Sequence, residues 1–153
     1  MPDRASPLDP TSLPDFEREN PLHFRVMEAL SAAGLDPAPG EDGDIQVRMN
    51  DQRFYVRCAD DSVPPMLTVF AHWLLGENLP GDELLHLRAA NAVTDALNFV
   101  KVVLRADHLA ASVDLAIGTD MDLRGLLTGS LDAVSGAVHT WHATVLELES
   151  HNR

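Results

Sequence analysis

Cysteine occurs once in these 153 residues, so no internal disulfide can form, and Cys58, at an inward strand position, reads as a core thiol and not a redox centre. Lysine is equally scarce, present only as Lys101, while 24 acidic residues bring the net charge to -13. A field of that sign repels phosphate backbones and anionic lipid surfaces, which argues against nucleic acid and membranes as partners. It also keeps a chain soluble with no recognition implied. No apolar run approaches the ~18 residues that a membrane-spanning helix needs. Residues 1–14 contain Pro2, Pro7, Pro10 and Pro14 and no apolar stretch; they read as a disordered leader on a cytoplasmic protein, not as a secretory signal.

Reactive constellations are missing as well. The glycines form neither a GxGxxG nor a phosphate-loop pattern, and Gly125 and Gly129 fall inside a helical stretch where no phosphate reaches their amides. Ser130 and Ser135 lack a nucleophile-elbow context. His139 and His142 stand three apart, but two imidazoles make a poor metal site and Trp141 between them belongs to an apolar seam. We therefore expect no catalytic residue, no metal and no cofactor, and a protein that is not an enzyme.

What is present is one domain over residues 15–150, long enough to bury roughly two-thirds of its unfolded surface. Asn20–Pro21 starts a helix, since the Asn side chain caps free amides and Pro at the first position loses no hydrogen bond. Leu22, Val26, Met27, Leu30 and Ala33 repeat on one face of it, and Gly34 ends it in a left-handed conformation with Leu35 folding back. Upstream, residues 14–19 form at most a turn that packs Phe16. Residues 36–44, DPAPGEDGD, read as a linker. The period then becomes two: Ile45, Val47 and Met49 face one way, as do Phe54, Val56 and Cys58 across an Asn50–Asp51 turn. Arg48, Arg53 and Arg57 lie on the outer side, either a solvated face or a docking patch for an acidic segment. Pro64–Pro65 forbid ladder bonds, so the third strand begins at a bend; residues 66–75, MLTVFAHWLL, are apolar nearly throughout, which predicts a strand covered on both faces with His72 as a core residue.

The chain is organised around residues 82–117, a helix feeding directly into a hairpin. Pro80, Asp82 and Glu83 mark the helix start, and its leucines and alanines cover more than one stripe, so that one side meets the sheet and the alanine side another helix, which a second copy could supply. At Asn98 the pattern changes. Phe99, Val100, Val102, Val103 and Leu104 are apolar on both faces apart from Lys101 and predict a strand inside a covered sheet. After an Ala106–Asp107–His108 turn, Leu109, Ala111, Val113, Leu115 and Ile117 alternate with small or polar residues as a strand with one buried face. Thr119 and Asp120 start a last helix to about Leu148, with Leu127, Leu131, Val134, Val138, Trp141, Val145 and Leu148 as its seam. Gly125, Gly129, Ala133 and Gly136 form a small-residue strip that predicts close approach of another group.

The order helix, three strands, helix, two strands, helix, with the asparagines of AANAVTDALNF ahead of the hairpin, resembles the YbjN family, which is similar in fold to class I type III secretion chaperones. The likeness spans residues 22–148. It implies an α+β domain of order α-β-β-β-α-β-β-α, an antiparallel five-stranded sheet flanked by helices, a homodimer and a non-enzymatic role. Members are described as candidate regulators of sensory transduction, and the chaperone relatives as small acidic dimers that hold extended segments of partner proteins. Asn91 and Asn98 match the family pattern and read as amides that satisfy the helix end. The function expected is thus a protein-binding module, chaperone-like or a regulatory adaptor, with Phe24, Met27, Phe70 and Trp73 as partner-binding anchors. The alternative is a small-molecule sensor with a pocket between helix and sheet.

Overall fold

In the computed structural model, which describes residues 21–153, the elements run α1 (Pro21–Ala32), β1 (Ala38–Pro39), β2 (Ile45–Met49), β3 (Gln52–Ala59), β4 (Met66–Leu74), α2 (Glu83–Ala96), β5 (Lys101–Leu104), β6 (His108–Ala116) and α3 (Leu123–His151). The leader expected over residues 1–14 and the turn around Phe16 lie outside the described residues. All pairings are antiparallel, in the order β1-β2-β3-β4-β6-β5. The fold is the α+β arrangement expected, with six strands in place of five. The extra one is β1, two residues of the presumed linker, with Ala38 and Pro39 paired to Gln46 and Ile45. A proline is tolerated there because the strand is an edge and its missing N–H faces no further neighbour.

Local chemistry sets most boundaries. Gly34 sits at φ +80°, and the Leu35 and Gly34 amides donate to the Leu30 and Ser31 carbonyls at 3.1 and 3.0 Å, which closes α1. Asn50 and Asp51, at φ 51° and 62°, form a two-residue turn of the primed kind that matches the twist of β2 and β3. The β4 strand starts immediately after Pro65, whose carbonyl accepts from the Ile117 amide at 2.8 Å. Asp82 caps α2 by accepting from the Leu84 amide at 2.9 Å. For α3 the cap is Asp122, which accepts from the Gly125 amide at 3.1 Å, so the helix begins later than Thr119–Asp120 and extends to His151.

The seam of α3 is the spine of the core. Leu127, Leu131, Val134, Val138, Trp141 and Val145 are all buried, against inward residues of the sheet such as Val69, Ala71, Leu109 and Ala111. The alanine side of α2, through Ala89, Ala90 and Val93, also packs into this cluster; the second helix it needed is α3 of the same chain, and the Trp141 indole donates to the His86 carbonyl at 3.1 Å.

Four expectations are corrected. Phe99 is no strand residue, and β5 is the sheet's outermost strand, with Val102 buried while Lys101 and Val103 face water; the apolar run was ambiguous because Val100 is buried just ahead of the strand. Along β4, Leu67, Val69 and Ala71 are buried, but Met66, Thr68, Phe70 and His72 are half-buried or exposed, so only one face is covered. Of the small-residue strip, a β-carbon at Gly125 would fall 2.6 Å from an Asp122 carboxylate oxygen, as close approach requires, but at Gly129 or Gly136 it would meet nothing, so the strip is open there in the single chain. Asn91 and Asn98 are both exposed. The end of α2 is tied down instead by Thr94, whose hydroxyl accepts from the Val102 amide at 3.1 Å and lies 3.4 Å from its carbonyl, while the Leu97 amide donates to Val93.

Since Trp141 is fully buried and hydrogen-bonded, Trp141→Ala should destabilise the fold by about 3–5 kcal/mol and Trp141→Phe by about 1–3 kcal/mol. Urea unfolding checks this; a Trp141→Ala midpoint equal to that of the parent would contradict the placement of the core.

Candidate functional site

Among the described residues, all three helices contribute to the buried cluster on one side of the sheet, and none lies on the other side. By strand alternation, that open side collects Tyr55 and Arg57 from β3, Thr68, Phe70, His72 and Leu74 from β4, Ala110, Ser112 and Asp114 from β6, and Lys101 and Val103 from β5. Cross-strand register then fixes the neighbours: Tyr55 lies opposite Phe70, Phe70 opposite Ser112, and Ser112 opposite Lys101.

An aromatic cluster occupies the centre. The Tyr55 and Phe70 rings stack at 5.4 Å with 22° between planes, and His72 lies 5.5 Å from Tyr55 and 5.9 Å from Phe70. The Arg57 guanidinium covers the Phe70 ring at 5.1 Å. Beside them runs a groove of about 450 Å³ floored by Ala110 and Ser112 and bordered by Arg57, Lys101, Arg105 and His108. Leu74, at the end of β4, is 80% exposed. His72, expected as a core residue, is therefore on the open face.

Charge on this face is unlike that of the chain as a whole. Arg48, Arg53, Arg57, Lys101 and Arg105, five of the chain's eleven Lys and Arg residues, lie on it or at its rim. Asp44 accepts two hydrogen bonds from Arg57, at 3.0 and 2.8 Å, and raises the guanidinium pKa. Asp114 accepts from Thr68 at 2.7 Å and from Lys101 at 3.1 Å, and the Thr68 bond above all holds its carboxyl below the usual range. Arg48, Arg53 and Arg105 make no ion pair among the described residues, although Arg53 borders a second cleft with Glu41 and Asp42. Arg48 and Arg53 are direct cross-strand partners, a like-charge pairing that costs stability.

The four residues proposed from sequence as anchors do not share one surface. Phe70 lies at the centre of the open face. Trp73 points to the covered side, packs on the core and borders a cleft with Met49, His139 and His142 of α3. On α1, Met27 packs against the core and Phe24 is half-buried. Tyr55, Leu74 and Arg105 were missed, although the alternation that placed Arg57 outward also placed Tyr55. Cys58 is half-buried against the core, and burial, followed by the nearby Asp60 and Asp44 charges, pushes its thiol up to about 12. His139 donates to the Ser135 carbonyl at 2.8 Å, and no group of three or more metal-ligating side chains occurs among the described residues.

A second apolar surface lies on the helix side. Phe99 is 80% exposed and stands between two shallow clefts, one with Leu97, Gly136 and Ala137, the other with Leu115, Leu126 and Gly129, while Ala133 borders both.

Residues 20–145 match TY-Chap1, the family described as type III secretion (YopN, CesT) and YbjN peptide-binding chaperone 1. Among solved structures, YbjN from E. coli, described as a candidate transcription regulator, is similar in fold, with a TM-score of 0.54 and 12% identity over 84% of this chain and 92% of that one. No curated protein matches. No helix among the described residues is long and apolar enough to cross a membrane.

Desolvation beside the Tyr55 and Phe70 rings, followed by the positive charges of His108 and Arg105, lowers the pKa of His72. Because the folded value lies below the unfolded value of about 6.5, the unfolded chain takes up the proton first: the contribution to stability is complete above about 6.5 and is lost as pH falls through the folded value. Urea midpoints should therefore fall less steeply below pH ~6.5 in His72→Gln than in the parent. Parallel slopes would contradict this. His142, lowered by burial and then by His139, accounts for part of the slope that remains.

Proposed function

The chain belongs to the TY-Chap1 family of type III secretion and YbjN peptide-binding chaperones, and from that premise we propose that it is a non-enzymatic module that holds an extended segment of a partner protein against the open face of its sheet. The observation that carries the reading is the aromatic cluster of half-buried Tyr55 and Phe70 with exposed His72, on a sheet face that no described helix covers, beside a shallow groove. Burying such rings at the centre of an interface is how a few residues supply most of a binding energy. Strand alternation favours an extended ligand, whose side chains project every second residue and so meet the sheet at matching intervals. Of the four anchors read from sequence, Phe70 takes this role. Phe24, Met27 and Trp73 lie apart from it and serve packing first. The setting proposed is the cytoplasm, where a chain with a single cysteine and no disulfide is at no disadvantage.

The same reading makes the protein a homodimer, joined through Phe99. A ring 80% exposed beside open Gly129 and Gly136 is half of a self-complementary contact, in which a two-fold axis sets each copy's ring into the other's cleft. Gly129 and Gly136, which nothing in the single chain approaches, would then be kept small by the second chain.

Two measurements test these statements. Light scattering at micromolar concentration should give twice the chain mass of 16.7 kDa, and Phe99→Asp should give the single-chain mass; a monomeric parent overturns the dimer. Peptides selected from a random extended library against the full chain should lose at least about tenfold in affinity on Phe70→Ser, with the circular dichroism unchanged. Selected peptides that bind Phe70→Ser as tightly as the parent would move the site elsewhere.

A further inference from the structure

We infer that the segment held on the open sheet face is acidic: an extended peptide that sets an apolar side chain near Phe70 and Leu74 and carboxylates toward Arg57, Lys101 and Arg105. The inference rests on the peptide-holding reading above and adds the chemistry of the ligand. Its ground is the distribution of charge. A chain of net charge -13 has few cations to place, yet five of eleven lie on or beside one sheet face, where Asp114 is the sole carboxylate projecting from a strand. Asp44 and Asp114 do not cancel this. They clamp Arg57 and Lys101 in position through bonds of 2.8–3.1 Å and leave further donors on each cation free to meet a ligand.

The unpaired cations point the same way. Arg105 borders the groove without a counter-ion among the described residues, and Arg48 faces Arg53 directly across the β2–β3 ladder, an arrangement that an added carboxylate would relieve. At the other end of the groove, His108 is within 2.8 Å of Asp107, so it is Arg105 that offers a free charge there. The acidic loop of Glu41 and Asp42 borders Arg53 and Tyr55, and Asp42 also acts on Arg57, which leaves the β4–β6–β5 side as the more positive half of the face.

A single-stranded nucleic acid is the rival suggested by aromatics and arginines on an open sheet. It fits worse. Bases stack on ring faces that lie free, whereas Tyr55 and Phe70 stack on each other and Arg57 covers Phe70. The whole-chain charge also repels a polyanion longer than the face, while a short acidic segment stays within the positive area.

The test uses the full chain and three fluorescent extended peptides of roughly ten residues, identical in their alternating Phe and Leu positions and carrying Glu, Gln or Lys at the others. Anisotropy is read at about 50 and about 300 mM salt. The Glu peptide should bind at least about tenfold tighter than the Gln peptide at low salt, and the gap should shrink at high salt. Lys101→Gln combined with Arg105→Gln should lower affinity for the Glu peptide and leave the Gln peptide unchanged, a comparison that a misfolded variant cannot pass. Equal binding of Glu and Gln peptides, or tighter binding of the Lys peptide, overturns the acidic preference and leaves the peptide-holding role standing. Failure of all three peptides counts against that role itself. A single-stranded oligonucleotide that binds tighter than the Glu peptide overturns the inference in favour of the rival.

Discussion

The structure depends on one-sided cover of a twisted sheet by a single long helix. The α3 seam from Leu127 to Val145 lies along the inward residues of the sheet, and α1 and α2 fill in beside it. Burial at roughly 25 cal/mol per Å² of apolar surface rewards each inward position equally, whichever strand supplies it, so the covered side becomes a continuous aliphatic layer anchored by Trp141. Among the described residues no helix remains to cover the other side. Everything of functional interest follows from that shortage of helix: a sheet with one wet face must present polar residues there, or apolar ones meant for contact with something else.

The wet face does both. Alternation puts Thr68, Ser112 and Asp114 beside Phe70 and Val103, so polar and apolar groups interleave at the spacing of an extended chain. Its charges are held by short, specific bonds, with Arg57 on Asp44 and Lys101 on Asp114, while the chain's excess acidity lies elsewhere. A scaffold of this kind needs no catalytic group to be selective. In the proposed role, position and sign of charge would do the sorting and the aromatic cluster would supply contact area. The exposed Phe99 lies apart from this face, on a distinct apolar surface.

Much of the architecture was legible in advance because it is written in local chemistry. Gly34, the Asn50–Asp51 turn, the Asp82 cap and the alternation of β6 each follow from a few adjacent residues, and the seven-residue seam of α3 repeats too regularly to belong to anything else. Some failed readings were local, since Asp122 and not Thr119–Asp120 caps α3 and Asn91 and Asn98 are exposed, but the others concern a neighbour distant in sequence. The Ala38–Pro39 strand exists only because β2 offers a free edge. The run from Phe99 to Leu104 looked central because its residues are apolar, but its place as an outer strand was decided by β6 joining β4, which left β5 one neighbour. The small-residue strip of α3 predicted close approach along its length, which only Gly125 meets, beside the capping Asp122.

The amino-acid order by itself thus determined the three helices, the longer strands, where they turn and which side of each faces inward, since these are set by dihedral preference and by period. Only the tertiary structure decided which inward sides meet one another, that the outward side of β4 stays uncovered, and that Tyr55, Phe70, His72 and the scattered cations become neighbours. The reason is physical: a side chain's periodicity records that one flank of its strand is buried, but whether the opposite flank is also covered depends on how many helices the whole chain has to spend and where the sheet has already placed them.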